Sequence, residues 1–173
     1  MAERKRAHFF GLLDRDGNGF IEQGDFDHVI QNYARYAGWE PGSEPYERFR
    51  TYVMGVWDAL SAGADADHSG SVSPEEFIAL FSQLESYPDQ VAMMATTAFD
   101  VLDTSGSGTI SLDEYRAFRE AYGVDNANAD EHFSRLDADD DSLISRDEFT
   151  VLMVDFFLSD DPDVPGSLLF GDY

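Results

Sequence analysis

The sequence predicts an all-α protein made of four helix–loop–helix units, which form two packed pairs with short β-bridges between the paired loops. Four acidic segments of twelve residues align without gaps along the chain. Apolar residues flank these segments at helical spacing. Hydrophobic residues make up 43% of the 173 residues, which is enough to form a core despite a formal net charge of -24.

The repeated segments agree position by position. Each begins with Asp, carries a β-branched residue at position 8, ends in an acid at position 12 and is followed by an aromatic residue. The segments are DRDGNGFIEQGD (14–25), DADHSGSVSPEE (65–76), DTSGSGTISLDE (103–114) and DADDDSLISRDE (137–148). We refer to them as loops one to four.

Helices are predicted on both sides of every loop. At loops one, three and four, apolar residues stand four positions and one position before the first Asp, as Phe10 and Leu13 do. This spacing places both on one face of a helix. The helix before loop two is offset but still amphipathic. Its apolar face comprises Phe49, Tyr52, Val53, Val56, Trp57 and Leu60.

Serines predict where the helices that leave loops two, three and four begin. Ser73 and Pro74, followed by two acids, predict an N-cap, a proline in the first turn and negative charge at the positive end of the helix. Ser111 and Ser145 are expected to cap the helices that leave loops three and four in the same way.

The oxygen-bearing residues have the spacing of a cage for a hard divalent cation. Such an ion takes about six to eight oxygen ligands at roughly 2.3–2.6 Å. Positions 1, 3 and 5 point side chains inward, position 7 offers its carbonyl, position 9 acts through water, and position 12 supplies two oxygens. The candidate ligands are Asp14, Asp16, Asn18, Phe20, Glu22, Asp25, Asp65, Asp67, Ser69, Ser71, Ser73, Glu76, Asp103, Ser105, Ser107, Thr109, Ser111, Glu114, Asp137, Asp139, Asp141, Leu143, Ser145 and Glu148.

The loops are expected to differ in strength. Loop two keeps its acids and Gly70 at position 6, so we expect it to bind Ca²⁺. Loop four has four acids in ligand positions, which offset the cost of about 1 kcal/mol for placing Ser142 in a left-handed conformation. Loop three has two charged ligands and is expected to be the weakest. Loop one ends in the shorter Asp25, which favours Mg²⁺ as an alternative ion, and Glu22 is expected to reach inward.

These features fit the EF-hand pattern of helix, twelve-residue loop and helix. None of the four loops matches the strict form of this pattern, but their common register indicates it. In this pattern position 8 pairs across neighbouring loops, which predicts that Ile21 pairs with Val72 and Ile110 with Ile144. With four units, a long first interval and many Phe residues, the chain resembles the family of the sarcoplasmic calcium-binding proteins and calerythrin. The resemblance implies a compact globule that buffers calcium.

Two breaks suggest how the chain is organised: the linker GWEPGSEP (38–45) and a shorter break near Tyr87–Pro88. We expect one compact protein, with the first pair of units in 1–86, the second in 88–158 and a tail in 159–173. Apolar residues follow two prolines in this tail. It is either a frayed end or a strap that folds back over the cleft between the pairs, and the family resemblance favours the strap.

The amino-acid composition restricts the classes of molecule that we expect this protein to bind. With 35 acidic residues against 11 Lys and Arg, the surface repels nucleic acid and anionic membranes. The chain has no cysteine. The N-terminal stretch lacks the apolar run of a signal peptide, and no apolar stretch approaches the ~20 residues of a membrane helix. We therefore expect a cytoplasmic monomer whose partners are calcium ions.

The sequence is compatible with three functions. The first is a calcium buffer or transporter, and the second is a sensor that changes conformation and regulates a partner protein. A remote third is a photoprotein-like binder of an apolar small molecule. The histidines form no catalytic spacing that we recognise, so no enzyme is expected. Sensors expose methionine-rich grooves, but Met54, Met93, Met94 and Met153 are interpreted as core filler.

Overall fold

A computed structural model describes residues 2–84 and 86–172, and within them it shows eight α-helices, a two-stranded sheet and one 3-10 helix. The all-α prediction is confirmed. The helices are α1 Ala2–Leu13, α2 Gln23–Ala37, α3 Glu44–Ala64, α4 Pro74–Leu84, α5 Pro88–Leu102, α6 Leu112–Ala121, α7 Ala129–Leu136 and α8 Arg146–Leu158. The strands are β1 Thr109–Ile110 and β2 Ile144–Ser145, and the 3-10 helix is Pro165–Leu168.

The bridges between paired loops have the predicted register. Ile21 and Val72 exchange backbone hydrogen bonds of 2.9 and 2.8 Å. Ile110 lies opposite Ile144 in the antiparallel pair of β1 and β2. All four side chains are at most 2% exposed. Each bridge therefore ties two loops together through backbone and core at once.

The exiting helices begin where the sequence places them. Ser111 and Ser145 cap α6 and α8 through reciprocal bonds with the acid three residues later. Ser73 Oγ accepts from the backbone N–H of Glu76 at 3.3 Å. The linker is shorter than predicted, because α3 already begins at Glu44. Pro45, the second residue of α3, suits the first turn of a helix.

The core is continuous and rich in aromatic rings. Phe9 of α1 lies 5.7 Å from Phe156 and 5.3 Å from Phe157 of α8, measured between ring centroids. The first unit therefore packs directly on the last. The interpretation of the methionines as core filler is wrong for two of them: Met93 and Met94 of α5 are 71% and 41% exposed.

Lys5 forms a second link between the first and last helices. It is 2% exposed, and its Nζ donates to the carbonyl oxygens of Ser159 at 2.9 Å and Asp155 at 3.3 Å. The last carbonyls of a helix lack partners within it and carry partial negative charge. The Lys5 ammonium group provides both a hydrogen-bond donor and a positive charge at this end of α8. Burial lowers the pKa of Lys5, while the nearby Asp155 acts in the opposite sense.

The C-terminal segment 164–172, which we call the strap, packs against the core. Leu169 is fully buried and Phe170 is 3% exposed. The Phe170 ring lies 4.8 Å from that of Phe9, 4.6 Å from that of Phe156 and 5.2 Å from that of Phe118. Phe170 thus contacts α1 of the first pair together with α6 and α8 of the second. No helix in the described ranges combines the length and apolarity that a bilayer crossing requires.

Candidate metal centres

All four loops hold the first aspartate in the same way. Its carboxylate accepts the backbone N–H groups of positions 5 and 6, so the loop curls around it. The bonds from position 6 are Gly19 to Asp14 at 2.9 Å, Gly70 to Asp65 at 3.0 Å, Gly108 to Asp103 at 2.7 Å and Ser142 to Asp137 at 2.7 Å. The four loops therefore share one backbone geometry despite their different sequences.

This geometry requires left-handed backbone at positions 4 and 6. Glycine occupies both positions in loops one and three. Loop two places His68 at φ 59°, and loop four places Asp140 at φ 59° and Ser142 at φ 69°. The left-handed conformation predicted for Ser142 is confirmed. The left-handed backbone at His68 and Asp140 was not predicted, although both are non-glycine residues at position 4 of their loops.

A Ser142→Gly substitution is expected to strengthen ion binding at loop four. Glycine adopts the left-handed conformation without the steric cost of about 1 kcal/mol, which corresponds to roughly fivefold in affinity. Calcium titration of the two proteins measures the difference. A Ser71→Gly variant is the control, because position 7 of loop two is not left-handed. An equal gain in both variants would mean that strain at Ser142 does not limit binding.

The fold brings three groups of carboxylates together. In each group, one oxygen from every member lies within 4.8 Å of the others. An ion with ligands at roughly 2.3–2.6 Å has oxygens at most about 5 Å apart around it, so each group fits one cation. The groups are Asp14, Asp16 and Asp25; Asp65, Asp67 and Glu76; and Asp137, Asp139 and Asp141.

The short acid of loop one still reaches its group. Asp25 is 3% exposed, and its carboxylate accepts N–H groups from Arg15 at 2.9 Å and from Glu22 at 2.7 Å. The Glu22 carboxylate in turn lies 3.2 Å from the side-chain nitrogen of Asn18, a candidate ligand at position 5. Glu22 therefore points toward the candidate ligand at position 5, as the compensation for a shorter acid requires.

Loop three has a less charged interior. Ser105 Oγ donates to Asp103 Oδ1 at 3.2 Å, and Ser107 Oγ donates to the Thr109 carbonyl at 2.9 Å. Glu114 accepts hydrogen bonds from the Thr104 hydroxyl and from the Ser105 N–H, both at 3.0 Å. Within the described residues, Asp103 and Glu114 belong to no group of three carboxylates. This loop offers neutral hydroxyls where its neighbours offer negative charge.

Electrostatic repulsion is concentrated in loop four. Desolvation and then the charge of Asp141 raise the pKa of Asp139. Burial acts to raise the pKa of Glu148, but hydrogen bonds from Ser145 and the backbone outweigh it and lower the pKa. In loop two, bonds from Ser73 likewise lower the pKa of Glu76. The lowered pKa values of Glu76 and Glu148 favour their ionised forms, and the crowded carboxylates of loop four favour a cation between them.

Comparison with known proteins agrees with this geometry. A family model described as EF hand matches residues 64–82 and 95–118. The luciferin-binding protein of Renilla reniformis is 30% identical over 98% of this chain and 92% of its own length. Calerythrin of Saccharopolyspora erythraea is 29% identical over 85% of this chain and 86% of its own.

A solved structure extends the comparison to the fold. It is that of a Streptomyces coelicolor calcium-binding protein, described as the basis for prokaryotic calcium-mediated regulation. It is 26% identical, aligns with a TM-score of 0.78, and covers 93% of this chain and 100% of its own. The predicted resemblance to the calerythrin family is confirmed.

Proposed function

We propose that this chain, which belongs to the EF-hand family of calcium-binding proteins, is a calcium buffer or transporter. The observation that carries the proposal is the burial of Phe170 between the two pairs of units. A sensor needs an apolar groove that a partner can enter. Here the chain's own strap occupies the surface where the pairs meet, which favours ion storage over target binding.

The aromatic packing also disfavours an apolar small-molecule ligand. One crevice, beside Phe9 and Phe157, leaves about 10 Å³ open to a water-sized solute. A second one, between Phe49 and Tyr122, leaves about 20 Å³. Both are far smaller than the ~300 Å³ at which ligand pockets begin. The luciferin-binding relative is similar over nearly the whole chain, but these crevices are narrow for a comparable ligand.

One observation supports the sensor as second candidate. Met93 and Met94 of α5 are exposed, and Tyr87, just before that helix, is 54% exposed. Flexible methionines are common on surfaces that bind varied partners. The Streptomyces coelicolor protein is described in terms of regulation, which gives this candidate a related precedent.

For the individual sites, we propose that loops one, two and four bind Ca²⁺ through their carboxylate groups. We propose that loop three binds more weakly, through Asp103 and Glu114. Loop one is the proposed place for Mg²⁺, because Asp25 is shorter than Glu and suits a six-coordinate octahedral shell. The 24 candidate ligands of the four loops define the proposed sites.

Binding of a hydrophobic dye with and without Ca²⁺, in a Mg²⁺ background, tests the buffer against the sensor. If the protein is a buffer, Ca²⁺ neutralises the loops, closes a loose apo state and lowers dye fluorescence. A rise on adding Ca²⁺ would mean that an apolar groove opens, and the sensor would replace the buffer. A Met93→Gln, Met94→Gln double variant shows whether the dye reports that exposed surface.

A further inference from the structure

A buried polar network joins the second pair of units near the strap. Arg119 of α6 is 2% exposed. Its guanidinium donates to the Tyr115 hydroxyl at 3.2 Å, to Asn128 Oδ1 at 3.1 Å and to the Asp125 carbonyl. It also lies 2.8 Å from Nδ1 of His132, on α7. Since a guanidinium has only donors, Nδ1 of His132 is the acceptor.

The tautomer of His132 follows from this contact. With Nδ1 accepting, the imidazole is neutral and its proton sits on Nε2. Nε2 lies 3.3 Å from Oδ1 of Asp172, in the strap. The other oxygen of Asp172 accepts from Asn128 Nδ2 at 2.7 Å. His132 is 4% exposed, so it connects a buried cation on one side to the strap carboxylate on the other.

Arg119 supports a second attachment of the strap. The Tyr115 hydroxyl, which accepts from Arg119, lies 3.4 Å from the carbonyl oxygen of Leu168 and 3.5 Å from that of Leu169. As carbonyls only accept, the hydroxyl is the donor. These two polar attachments of the strap thus depend on the position of one guanidinium.

We propose that His132 is a pH-sensitive latch for the strap, closed while its imidazole is neutral and opened by protonation at Nδ1. A second proton can enter only at Nδ1, since Nε2 already carries one. The imidazolium and the Arg119 guanidinium are then two donors and two positive charges at hydrogen-bond distance. They must separate, and Arg119 is displaced from Tyr115 as well. Acidification therefore loosens the cover over the aromatic core.

The surrounding charges set the direction of the effect. Burial is the largest influence and lowers the pKa of His132. Asp172 of the strap opposes it, Arg119 of α6 adds to it, and on α7 itself Glu131 raises the pKa while Arg135 lowers it. The open state therefore binds the proton more readily than the closed state. The latch contributes stability above the usual pKa of 6.5, and this contribution is lost as the pH falls.

His8 contacts the strap differently. Its Nε2 lies 3.1 Å from the carbonyl oxygen of Phe170, so Nε2 must donate. This contact needs only an N–H group at Nε2, unlike the acceptor role that Arg119 imposes on Nδ1 of His132. The acid sensitivity of the strap is thus assigned to His132.

A single engineered cysteine makes the strap measurable, because the chain has none. Ser167 is 1% exposed, and Ser167→Cys changes one atom. The rate of its reaction with an aromatic disulfide is measured with saturating Ca²⁺ and divided by that of a free thiol at each pH. From about pH 7.5 to about pH 5.5, where histidine titrates, we expect the normalised rate to rise roughly fivefold, the scale of one lost hydrogen bond.

When His132→Asn is added to the Ser167→Cys protein, the rise of the normalised rate in acid should disappear, because Asn offers Arg119 an acceptor that does not titrate. Adding His28→Asn, at an exposed position of α2, should leave the rise unchanged. The Asp172→Asn substitution changes an exposed side chain, so we expect the fold to be kept. Since Asp172 raises the pKa of His132, its removal should move the midpoint of the rise to lower pH. The latch is overturned by an equal rise with and without His132, by a flat or falling rate in acid, or by an unmoved midpoint in Asp172→Asn.

Discussion

Replacement of Phe170 by alanine is expected to lower the free energy of unfolding by about 3–5 kcal/mol, the usual cost of removing a buried phenylalanine. The ring is 3% exposed and contacts rings of α1, α6 and α8, so its loss leaves a cavity between the two pairs of units. Denaturant unfolding with Ca²⁺ present measures the change. Dye binding by the Ca²⁺-loaded variant should increase at the same time.

The matched control for Phe170 is Phe20→Ala. Phe20 stands at position 7 of loop one, where only the backbone carbonyl is a candidate ligand, and its side chain is 46% exposed. Its truncation should change the unfolding free energy by less than about 0.5 kcal/mol. If Phe170→Ala were as mild as this control, the strap would be a loosely held end and the buffer proposal would lose its main support.

Replacement of Asp137 by alanine is expected to remove one bound calcium ion and to leave the fold intact. The Asp137 carboxylate organises loop four through the N–H groups of Asp141 and Ser142, and it belongs to the carboxylate group of that loop. Without it, the loop loses both a ligand and its internal anchor. Equilibrium dialysis gives the number of ions bound, and far-UV circular dichroism reports the helices.

Asp147→Ala separates the role of Asp137 from a general loss of charge. Asp147 stands at position 11 of the same loop, is exposed, and lies in the first turn of α8. The Asp147→Ala substitution removes one negative charge without removing a candidate ligand. The number of bound ions should therefore stay that of the unaltered protein. An unchanged number in Asp137→Ala as well would show that loop four does not hold an ion.

The loops were predictable because their information is local. A twelve-residue pattern fixes the position of each carboxylate relative to its own backbone, so the register of the bridge between Ile21 and Val72 followed from alignment alone. The left-handed backbone at Ser142 followed in the same way, since its position demands it whatever residue is present. Such constraints act within a few residues and can be read from one sequence.

The links between distant elements were not predictable. Lys5 caps a helix about 150 residues away, and a lysine in an N-terminal helix gives no sign of it. Arg119, His132 and Asp172 come from α6, α7 and the strap, and no local pattern in the sequence connects them. The exposure of Met93 and Met94 likewise depends on how α5 lies against its neighbours. These features arise from tertiary packing, which overrides local pattern.

Calorimetric titration of the unaltered protein with Ca²⁺, in a buffer free of Mg²⁺, tests the central claim most directly. The three carboxylate groups predict three ions bound per chain with high affinity and a fourth, at loop three, only at higher concentration. Saturation at fewer than three ions, or four equal sites, would contradict this assignment of the loops.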